Sequence, residues 1–594
     1  MTTQNQSILK GGEFLIKSQS YQDTFIREEL SEDAQQFAEM IKEFIDKKVA
    51  PNFTKIDKGG YDLLVSLLKE AGDLGMLNAG LPEEYGGMNV DFNTETVLSE
   101  ELGKSHSFSV AAAAHTGIGT LPILYFGTEE QKNKYLMALG SGEKFASYCL
   151  TEPWSGSDAM GARTKAVLSE DRQHYILNGQ KMWITNAGFA DVFIVFAQVD
   201  GNQFTGFIVD KETPGLSLGA EEDKMGIKGS STRQVFFENV KIPVTNLLGE
   251  LGKGHKIAFN VLNIGRYKLC IMAMGGAKST FENGVKYAIE RQQFGTSISE
   301  FGAIKNKIAE MAISIYATES SCYRVGGLIE NMIEELVASG MTRSEAKLQA
   351  AEEYSIECAA LKVMGSETLD LVADETVQIY GGMGFSEEAP AARSYRDSRI
   401  NRIFEGTNEI NRLLAVSTIV RKAMRGKLDL LGPATQAQKD LLNIDFGDGS
   451  NELFSTEKKT VLQAKKALLL AAGGALEAYK QDFEHQQEVI MRIADMAFDI
   501  FSAESIMLRV EKLVAKDGAD AHNVAFNIMQ SFFNDAMDRV YINGKNIVSA
   551  YAEGDTLTMM LMGMKRFTKY PTFNSVASKR IIAAHFIKEG LYKI

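Results

Sequence analysis

A glutamate in an apolar stretch near residue 400 is the strongest candidate for chemistry in this chain. Ile403 and Phe404 come directly before Glu405, and Gly406 follows it. Burial beside hydrophobic groups disfavours the charged form of a carboxyl and raises its pKa. A base with a pKa near neutrality suits the abstraction of a weakly acidic C–H proton, and a glycine lets a substrate approach the backbone closely. By itself, the pattern is more typical of a helix-cap or salt-bridge glutamate.

Three further segments accompany this glutamate. They are YCLTEPWSGSD at 148–158, RQQFG at 291–295 and QIYGGMG at 378–384. Together with RIFEGTNEINR at 402–412, and in this order, they resemble the flavin-dependent acyl-CoA dehydrogenases. The resemblance extends from about residue 35 to about residue 425, and four separate motifs at compatible spacing make it specific.

The resemblance implies an FAD cofactor that lies between a β-domain and C-terminal helices. The residues that it implies for FAD contact are Tyr148, Leu150, Thr151, Ser157, Trp183, Thr185, Thr407 and Glu409. Hydroxyl and backbone groups of this kind can hydrogen-bond the flavin and tune its potential. Taken without the resemblance, Trp183 fits a core aromatic of a β-sandwich equally well.

A second group of residues is implied to reach the FAD of a neighbouring subunit. It comprises Arg291, Phe294, Gln378, Gly381 and Gly382. A guanidinium fork matches phosphate geometry, and paired glycines allow close backbone approach. In isolation, Arg291 fits a solvated helix end and the glycines fit a helix C-cap. If Arg291 acts in trans, the active unit is at least a dimer, so we expect a homo-oligomer and favour a dimer.

For catalysis, the resemblance implies that Glu405 takes the α-proton of an acyl-CoA thioester while hydride leaves the β-carbon for the flavin. The backbone N–H of Glu405 and a ribityl hydroxyl would polarise the thioester carbonyl, as in an oxyanion hole. The implied substrate contacts are Ser157, Asn263, Arg266 and Gly406. For Asn263 and Arg266, the alternative is that they brace the base.

One position decides between two places for the base. Some family members carry the base on another helix, directly before the arginine that is Arg266 here. In this chain Gly265 stands there, so Glu405 has no rival. Asn263 departs from the aspartate that is common in the family, which weakens the prediction that it contacts CoA.

The segment 109–119 bears on acyl-chain length. It reads SVAAAAHTGIG, whereas medium-chain members close the pocket floor with larger polar residues on this helix. Alanines would leave a deep apolar slot, and each buried methylene adds about 0.8 kcal/mol. We therefore predict long-chain substrates. The alternative is that the alanines only allow close helix packing.

Composition excludes several other classes of protein. The chain has 594 residues, 45% of them hydrophobic, and a net charge of −14, so neither disorder nor nucleic-acid binding is expected. Four cysteines without paired spacing predict reduced, buried thiols, and scattered histidines predict no metal site. The N-terminus MTTQNQSILKGGEF resembles no signal or transit peptide, which predicts a cytoplasmic protein.

Periodicity predicts four units, and the fold class is mainly α with a small β-domain. Helical spacing predicts an N-terminal helical domain over 30–144, and short alternating runs with turn signals predict a β-barrel or sandwich over 145–252. Helical spacing returns over 253–428, which the resemblance identifies as a C-terminal four-helix bundle. A further helical domain is predicted over 450–594. Residues 1–30 are predicted to be a polar leader.

The last unit lies beyond the common family core and resembles the very-long-chain branch in architecture. The apolar run 467–476 is too short to span a membrane. Lys458, Lys459, Lys465 and Lys466 flank that run, so a basic edge could dock on a membrane surface. Packing against the core is the favoured alternative.

These patterns predict an FAD-dependent long-chain acyl-CoA dehydrogenase of fatty-acid β-oxidation that passes electrons to an electron-transferring flavoprotein. Two alternatives stay open. An acyl-CoA oxidase-like enzyme would reduce oxygen and release peroxide. A non-catalytic assembly protein on the same fold is the other, although the presence of Glu405 argues against it.

Overall fold

Helices make up most of the chain, and one sheet interrupts them. The computed structural model describes residues 8–441 and 452–594, so part of the polar stretch predicted before Asn451 lies outside the described residues. The chain is mainly α with a small β-domain and a helical C-terminal extension, which confirms the predicted fold class.

Seven α-helices precede the sheet in the described part of the chain. Their starts carry the expected caps: the side chains of Ser31, Asp91 and Thr128 accept hydrogen bonds from backbone N–H groups three residues later. The helices are α1 (Glu32–Phe44), α2 (Phe53–Asp57), α3 (Tyr61–Asp73), α4 (Phe92–Leu102), α5 (Ser107–Ala114), α6 (Leu121–Phe126) and α7 (Glu129–Gly140).

The sheet has eight strands. They are β1 (Ala146–Cys149), β2 (Lys165–Leu168), β3 (His174–Thr185), β4 (Val192–Val199), β5 (Gln203–Asp210), β6 (Leu216–Glu221), β7 (Thr232–Pro243) and β8 (Leu247–Leu248). The order is β6, β7, β3, β2, β4, β5, β8, and β1 pairs with β4 in parallel. Strand β4 is almost wholly apolar and buried, so it forms the centre of this unit.

Two 37-residue helices form the middle of the molecule, α8 (Gly254–Glu290) and α9 (Gly302–Ala338). A short hairpin of β9 (Gln292–Gln293) and β10 (Thr296–Ser297) joins them. They pack with α10 (Arg343–Glu353), α11 (Ser355–Tyr380) and α12 (Pro390–Ser398), and α13 (Asn408–Met424) packs on α11.

The C-terminal unit begins with α14 (Leu431–Asp440). It continues with α15 (Ser455–Tyr479), α16 (Gln487–Asp517), α17 (Asn523–Tyr551), α18 (Gly554–Phe567) and α19 (Ser575–Glu589). Helices α15 and α16 share one continuous apolar core with α8, α9 and α11. The unit is therefore fused to the rest of the fold rather than tethered to it.

The predicted membrane-docking edge is not available in this unit. Leu468, Leu470 and Ala471 of the apolar run are buried, and Lys465 is buried in an ion pair with Glu504. Helix packing uses these residues, as the favoured alternative predicts, and membrane contact through other residues stays a prediction.

The leader also differs from expectation in the part that the structure describes. Phe14 and Leu15 are buried in the main core. The backbone N–H groups of Gly11 and Gly12 donate to Glu353 and Glu357. The sequence of this segment does not predict that it packs on the core, because the residues it contacts lie more than 300 positions away in the chain.

One helical stretch in the described ranges, 107–126, is long and apolar enough to cross a membrane. Of its most apolar window, 72% is buried inside the fold. It is a core segment that lines the cavity described below. All four cysteines are free and buried, as predicted.

Candidate active site

The loop that carries Glu405 has an unusual backbone. Glu405 has φ +58° and Gly406 has φ +80°, a left-handed conformation that costs a non-glycine residue about 1 kcal/mol or more. The side-chain amide of Asn411 holds the loop by donating to the carbonyls of Glu405, Gly406 and Thr407 at 3.3, 2.8 and 3.0 Å. Thr407 then caps α13 through its hydroxyl. The surrounding structure therefore enforces the strained position of the glutamate.

The carboxylate of Glu405 faces a void. Its Oε2 is buried and has no hydrogen-bond partner among the described residues. A Cβ added at Gly265 would lie 3.0 Å from that oxygen. Glycine at this position therefore does more than remove a rival base, because it also leaves room for the carboxylate of Glu405.

Burial raises the pKa of Glu405 to about 7, and the positive charges of Arg266 and Lys362 oppose the rise. Arg266 is itself buried, and its Nε approaches the backbone carbonyl of Glu405 at 3.4 Å while its Nη1 donates to Asn263 at 2.7 Å. A carboxyl with such a pKa is half ionised at neutral pH, which fits a general base.

A cavity of about 1140 Å³, including its solvent-open part, opens from Glu405. One wall is a single face of α8, from Val261 to Thr280, which corresponds to about 28 Å of helix. Gly265, Ala273 and Gly276 alternate on this face with larger side chains such as Leu269 and Met272. The residues of the 109–119 segment that line the cavity are Ser109, Val110, Ala113, Ala114, Gly117 and Ile118. The segment is not one regular helix, because α5 ends at Ala114 and a π-helical turn, His115–Gly119, follows it.

Tyr148, Leu150 and Thr151 lie at the edge of the sheet beside this cavity. Tyr148 is buried, its hydroxyl has no partner among the described residues, and the charge of Glu405 adds to the rise that burial causes in its pKa. The carbonyl of Thr151 accepts from Met182 of β3 at 2.9 Å. The first predicted motif is therefore fixed to the strand that carries Trp183 and Thr185.

A buried ion pair provides much of that fixation. Lys181 donates to Glu152 at 2.7 Å and to the carbonyl of Leu150 at 3.1 Å. The other oxygen of Glu152 accepts from the Trp154 indole and from the Arg163 backbone, both at 2.6 Å. The loop 150–163 is thus clamped onto β3.

Trp183 is not a core aromatic. It stands at the end of β3 with φ +60° and 51% of its surface exposed, whereas Thr185 two residues later lines the cavity. The exposed indole of Trp183 offers a flat apolar face, and the nearby hydroxyl of Thr185 offers a hydrogen-bond donor to the cavity.

Ser157, Thr407 and Glu409 complete the residues implied for FAD contact. Ser157 and Glu409 are exposed, and Thr407 is half-buried in its capping role. None of the three lines the cavity.

The structure separates the second predicted group from the cavity. Arg291 lies at the C-terminal end of α8, about 40 Å along the helix axis from Gly265. Phe294 is 92% exposed in the β9–β10 hairpin. Gln378, Gly381 and Gly382 are exposed at the end of α11, which meets the same end of α8 through the Tyr287–Tyr380 stack. These residues share one exposed end of the bundle, far along α8 from Gly265 and from the Glu405 that faces it.

Several residues at the site were not predicted from the sequence. They are Asn411, Lys362, Asn408, Glu152 and Lys181. A buried lysine in a helical apolar run was a usable signal at Lys362, because an unpaired buried ammonium is costly. Asn411 gave no such signal, because its three acceptors exist only in the folded loop.

Family models match most of the chain. Models described as the N-terminal, middle and C-terminal domains of acyl-CoA dehydrogenase match residues 31–143, 147–240 and 252–419. A separate model, also described as an acyl-CoA dehydrogenase C-terminal domain, matches residues 463–566. The C-terminal extension therefore has counterparts in other proteins.

Similar proteins cover the chain end to end. A protein of Bacillus subtilis named "Probable acyl-CoA dehydrogenase" is 44% identical over 594 residues, the full length of both chains. The mitochondrial very long-chain specific acyl-CoA dehydrogenase of Rattus norvegicus is 35% identical and covers 76% of this chain and 70% of its own. A crystal structure of an acyl-CoA dehydrogenase complexed with FAD from Bacillus anthracis superposes with a TM-score of 0.96 at 44% identity, covering 98% of this chain and 100% of its own.

Proposed function

The chain belongs to the acyl-CoA dehydrogenase family, and from that premise we propose that it dehydrogenates long-chain acyl-CoA thioesters with Glu405 as the base. It is an FAD-dependent oxidoreductase that acts on acyl-CoA. The observation that carries the proposal is the unpaired Oε2 of Glu405 at the wall of a long apolar cavity.

The residues present fit an FAD. Trp183 offers an exposed ring, and Thr185 offers a hydroxyl at the cavity. Added Cβ atoms at Gly381 and Gly382 would meet nothing within 4 Å, so a cofactor can approach that backbone. Bound FAD supplies the hydride acceptor.

Glu405 performs the proton transfer. When its carboxylate is ionised, it removes the α-proton of the thioester, the β-carbon loses a hydride, and the trans-2-enoyl double bond forms. The backbone N–H of Glu405 donates to no group in the described part of the chain, so it is free to hydrogen-bond the thioester carbonyl and stabilise developing negative charge. Arg266 holds the carbonyl side of the same residue.

The cavity supports the long-chain preference. Alanines and glycines on the 109–119 segment and on α8 leave room for an extended chain, and each buried methylene contributes about 0.8 kcal/mol. The likeness to the very long-chain specific enzyme of Rattus norvegicus points the same way. We place this activity in fatty-acid β-oxidation, with an electron-transferring flavoprotein as electron acceptor.

An anaerobic titration tests the proposal. Palmitoyl-CoA is added to the purified yellow protein, and the flavin spectrum is followed, with butyryl-CoA as the short-chain comparison. We expect bleaching by palmitoyl-CoA at a lower concentration than by butyryl-CoA. A protein that holds FAD and is bleached by no acyl-CoA would overturn the proposal and favour a non-catalytic role. Peroxide release at a rate matching turnover in air would favour an oxidase.

The exposed end of the bundle supports a homodimer in which Arg291 serves the partner's cofactor. Mixed dimers test this directly. A dimer of one Glu405→Gln chain and one Arg291→Ala chain contains one fully intact site if Arg291 acts in trans. We expect such dimers to regain about half of wild-type activity, whereas action in cis leaves every site with one lesion and restores nothing.

A further inference from the structure

A lysine behind the catalytic loop has no part in the chemistry described above. Lys362 of α11 is completely buried, and its Nζ donates to the side-chain oxygen of Asn408 at 2.7 Å. Asn408 is the first residue of α13, directly after the catalytic loop. The amine therefore joins α11 to the segment that positions the base.

The contacts continue away from the loop. The Nδ2 of Asn408 donates to Glu367 at 3.0 Å. Glu367 in turn receives a two-pronged contact from Arg412, with Nη1 and Nη2 at 2.9 and 3.0 Å from its two oxygens. A fork of this kind fixes geometry as well as charge.

The far end of this series lies in the C-terminal unit. Nε of Arg412 donates to Asp495 of α16 at 2.7 Å. The hydrogen bonds of Arg412 thus join Glu367 of the catalytic core to Asp495 of the extension. We call the series Lys362, Asn408, Glu367, Arg412 and Asp495 the polar relay.

The near end of the polar relay acts on the base through charge. Burial lowers the pKa of Lys362 to about 7, and the charge of Glu405 opposes that fall. The charged and titratable groups that face the amine are Arg266 of α8, Glu405 of the loop, Glu367 of α11 and Glu409 of α13. A small displacement of Lys362 therefore changes the electrostatic interaction between its amine and Glu405, and with it the pKa of Glu405.

We propose that the C-terminal helical unit positions the catalytic base, and that Asp495 is the positioning residue through which it does so. The inference rests on the proposed role of Glu405. It gives the extension a part in turnover, although no described residue of the extension lines the cavity.

Two variants of α16 test the proposal. Asp495→Asn removes the charge that holds Arg412. Asp499→Asn, one turn later, removes a similar partner of Arg539 within the C-terminal unit and is the matched control. Reduction of the flavin by palmitoyl-CoA is followed by anaerobic stopped flow as a function of pH, with the thermal midpoint of each variant measured in parallel.

In Asp495→Asn we expect the limiting reduction rate to fall about 3- to 10-fold, because small displacements of a reacting group are costly. The affinity for palmitoyl-CoA should stay the same, and the acid limb of the pH profile should move to higher pH. Asp499→Asn should change the rate by less than about 2-fold. Equal behaviour of the two variants would overturn the proposal.

Lys362→Gln provides an independent check. Removing this cation raises the pKa of Glu405, so the acid limb should shift upward more than in Asp495→Asn. If the polar relay acts as one unit, the double variant is slowed by less than the product of the two single effects. Fully multiplicative effects would show that Asp495 does not act through Lys362.

A readout without turnover separates this inference from the proposed function. Hydrogen exchange of the segment 403–411 should be faster in Asp495→Asn and unchanged in Asp499→Asn. Unchanged exchange in both variants contradicts the positioning role even if the wild type is reduced normally. A wild type that is not reduced by palmitoyl-CoA contradicts the proposed function, whatever the exchange shows.

Discussion

Two regions of this molecule bury carboxylates and treat them in opposite ways. At the cavity, burial raises the pKa of Glu405 to about 7, because Arg266 and Lys362 offset that burial only in part. At the junction of α9 with the C-terminal unit, burial would also raise the pKa of Glu504, but Lys465 and Arg324 outweigh it and hold the pKa below its usual value. The charged partners of the two glutamates therefore decide the opposite directions of their pKa shifts.

The partners follow from the local backbone. Glu504 lies mid-helix on α16, where Arg324 of α9 and Lys465 of α15 converge on it at 2.9 and 2.6 Å. Glu405 lies on a strained loop opposite a glycine, and its Oε2 has no partner in the described ranges. The paired carboxylate of Glu504 ties the extension to the core, and the unpaired oxygen of Glu405 is left for a substrate.

The largest expected effect is the loss of activity when the unpaired carboxylate of Glu405 is replaced. Glu405→Gln keeps the shape and removes the base, so the rate of flavin reduction by palmitoyl-CoA should fall about 10³- to 10⁴-fold. FAD content and thermal midpoint should stay near wild type, because the oxygen has no partner to lose. Stopped-flow spectroscopy at pH 8 measures the rate, and a fall of less than about 10-fold would exclude Glu405 as the base.

The same substitution at the paired carboxylate of Glu504 should lower the stability of the fold. Glu504→Gln leaves Lys465 and Arg324 buried without a counter-charge, which costs about 3–5 kcal/mol of unfolding free energy. Urea unfolding measures it, and Glu39→Gln in the exposed Lys42 pair is the control, with a loss below about 1 kcal/mol. Equal losses in the two variants would refute the distinction drawn between buried and exposed pairs.

The cavity wall should control chain length without disturbing the base. Ala114→Phe fills the slot beside the 109–119 segment, so we expect about a 10- to 100-fold lower rate with palmitoyl-CoA. Butyryl-CoA serves as the internal control and should lose less than about 3-fold. Equal losses with both substrates would mean that the acyl chain does not run along this segment.

A second buried carboxylate with one unpaired oxygen, that of Glu357, extends the comparison. Burial raises the pKa of Glu357 to about 7, although Gly12 donates to it, and Glu357 does not line the cavity. A folded-state pKa above the ordinary value gives stability that is complete below about pH 4.5 and is lost as pH rises through about 7.

Glu357→Gln should therefore raise the thermal midpoint by about 1–2 °C at pH 8 and leave it unchanged at pH 5. Flavin reduction should not change. A gain at pH 5 that equals the gain at pH 8 would show that Glu357 is not protonated in the fold.

Much of the architecture was predictable because helical and alternating periodicities are local signals. Strand β4 and the long helices α8 and α9 lie where the apolar spacing places them. The strained backbone of Glu405, the docking of Gly11 and Gly12, and the convergence of Arg324 and Lys465 on Glu504 were not predictable. Each depends on contacts between residues far apart in sequence.

The candidate site divides in the same way. The motif resemblance names Glu405, Thr185 and Arg266, which the fold brings to one cavity or its edge. It does not name Asn411 or Lys362, because their roles depend on which carbonyls and charges surround them after folding. Lys465, beside the 467–476 run, shows the converse error, since a lysine of a sequence pattern typical of membrane surfaces is buried here in an ion pair with Glu504.

The pH dependence of anaerobic flavin reduction by palmitoyl-CoA tests most directly whether the fold leaves Glu405 poised as a base. The second-order rate constant at low substrate reports the free enzyme. It should rise with pH along a limb centred near 7, because the carboxylate must be ionised to accept the α-proton, and the limb should vanish in Glu405→Gln. A limb near the ordinary glutamate pKa of about 4.3, or the same limb in Glu405→Gln, would contradict the assignment.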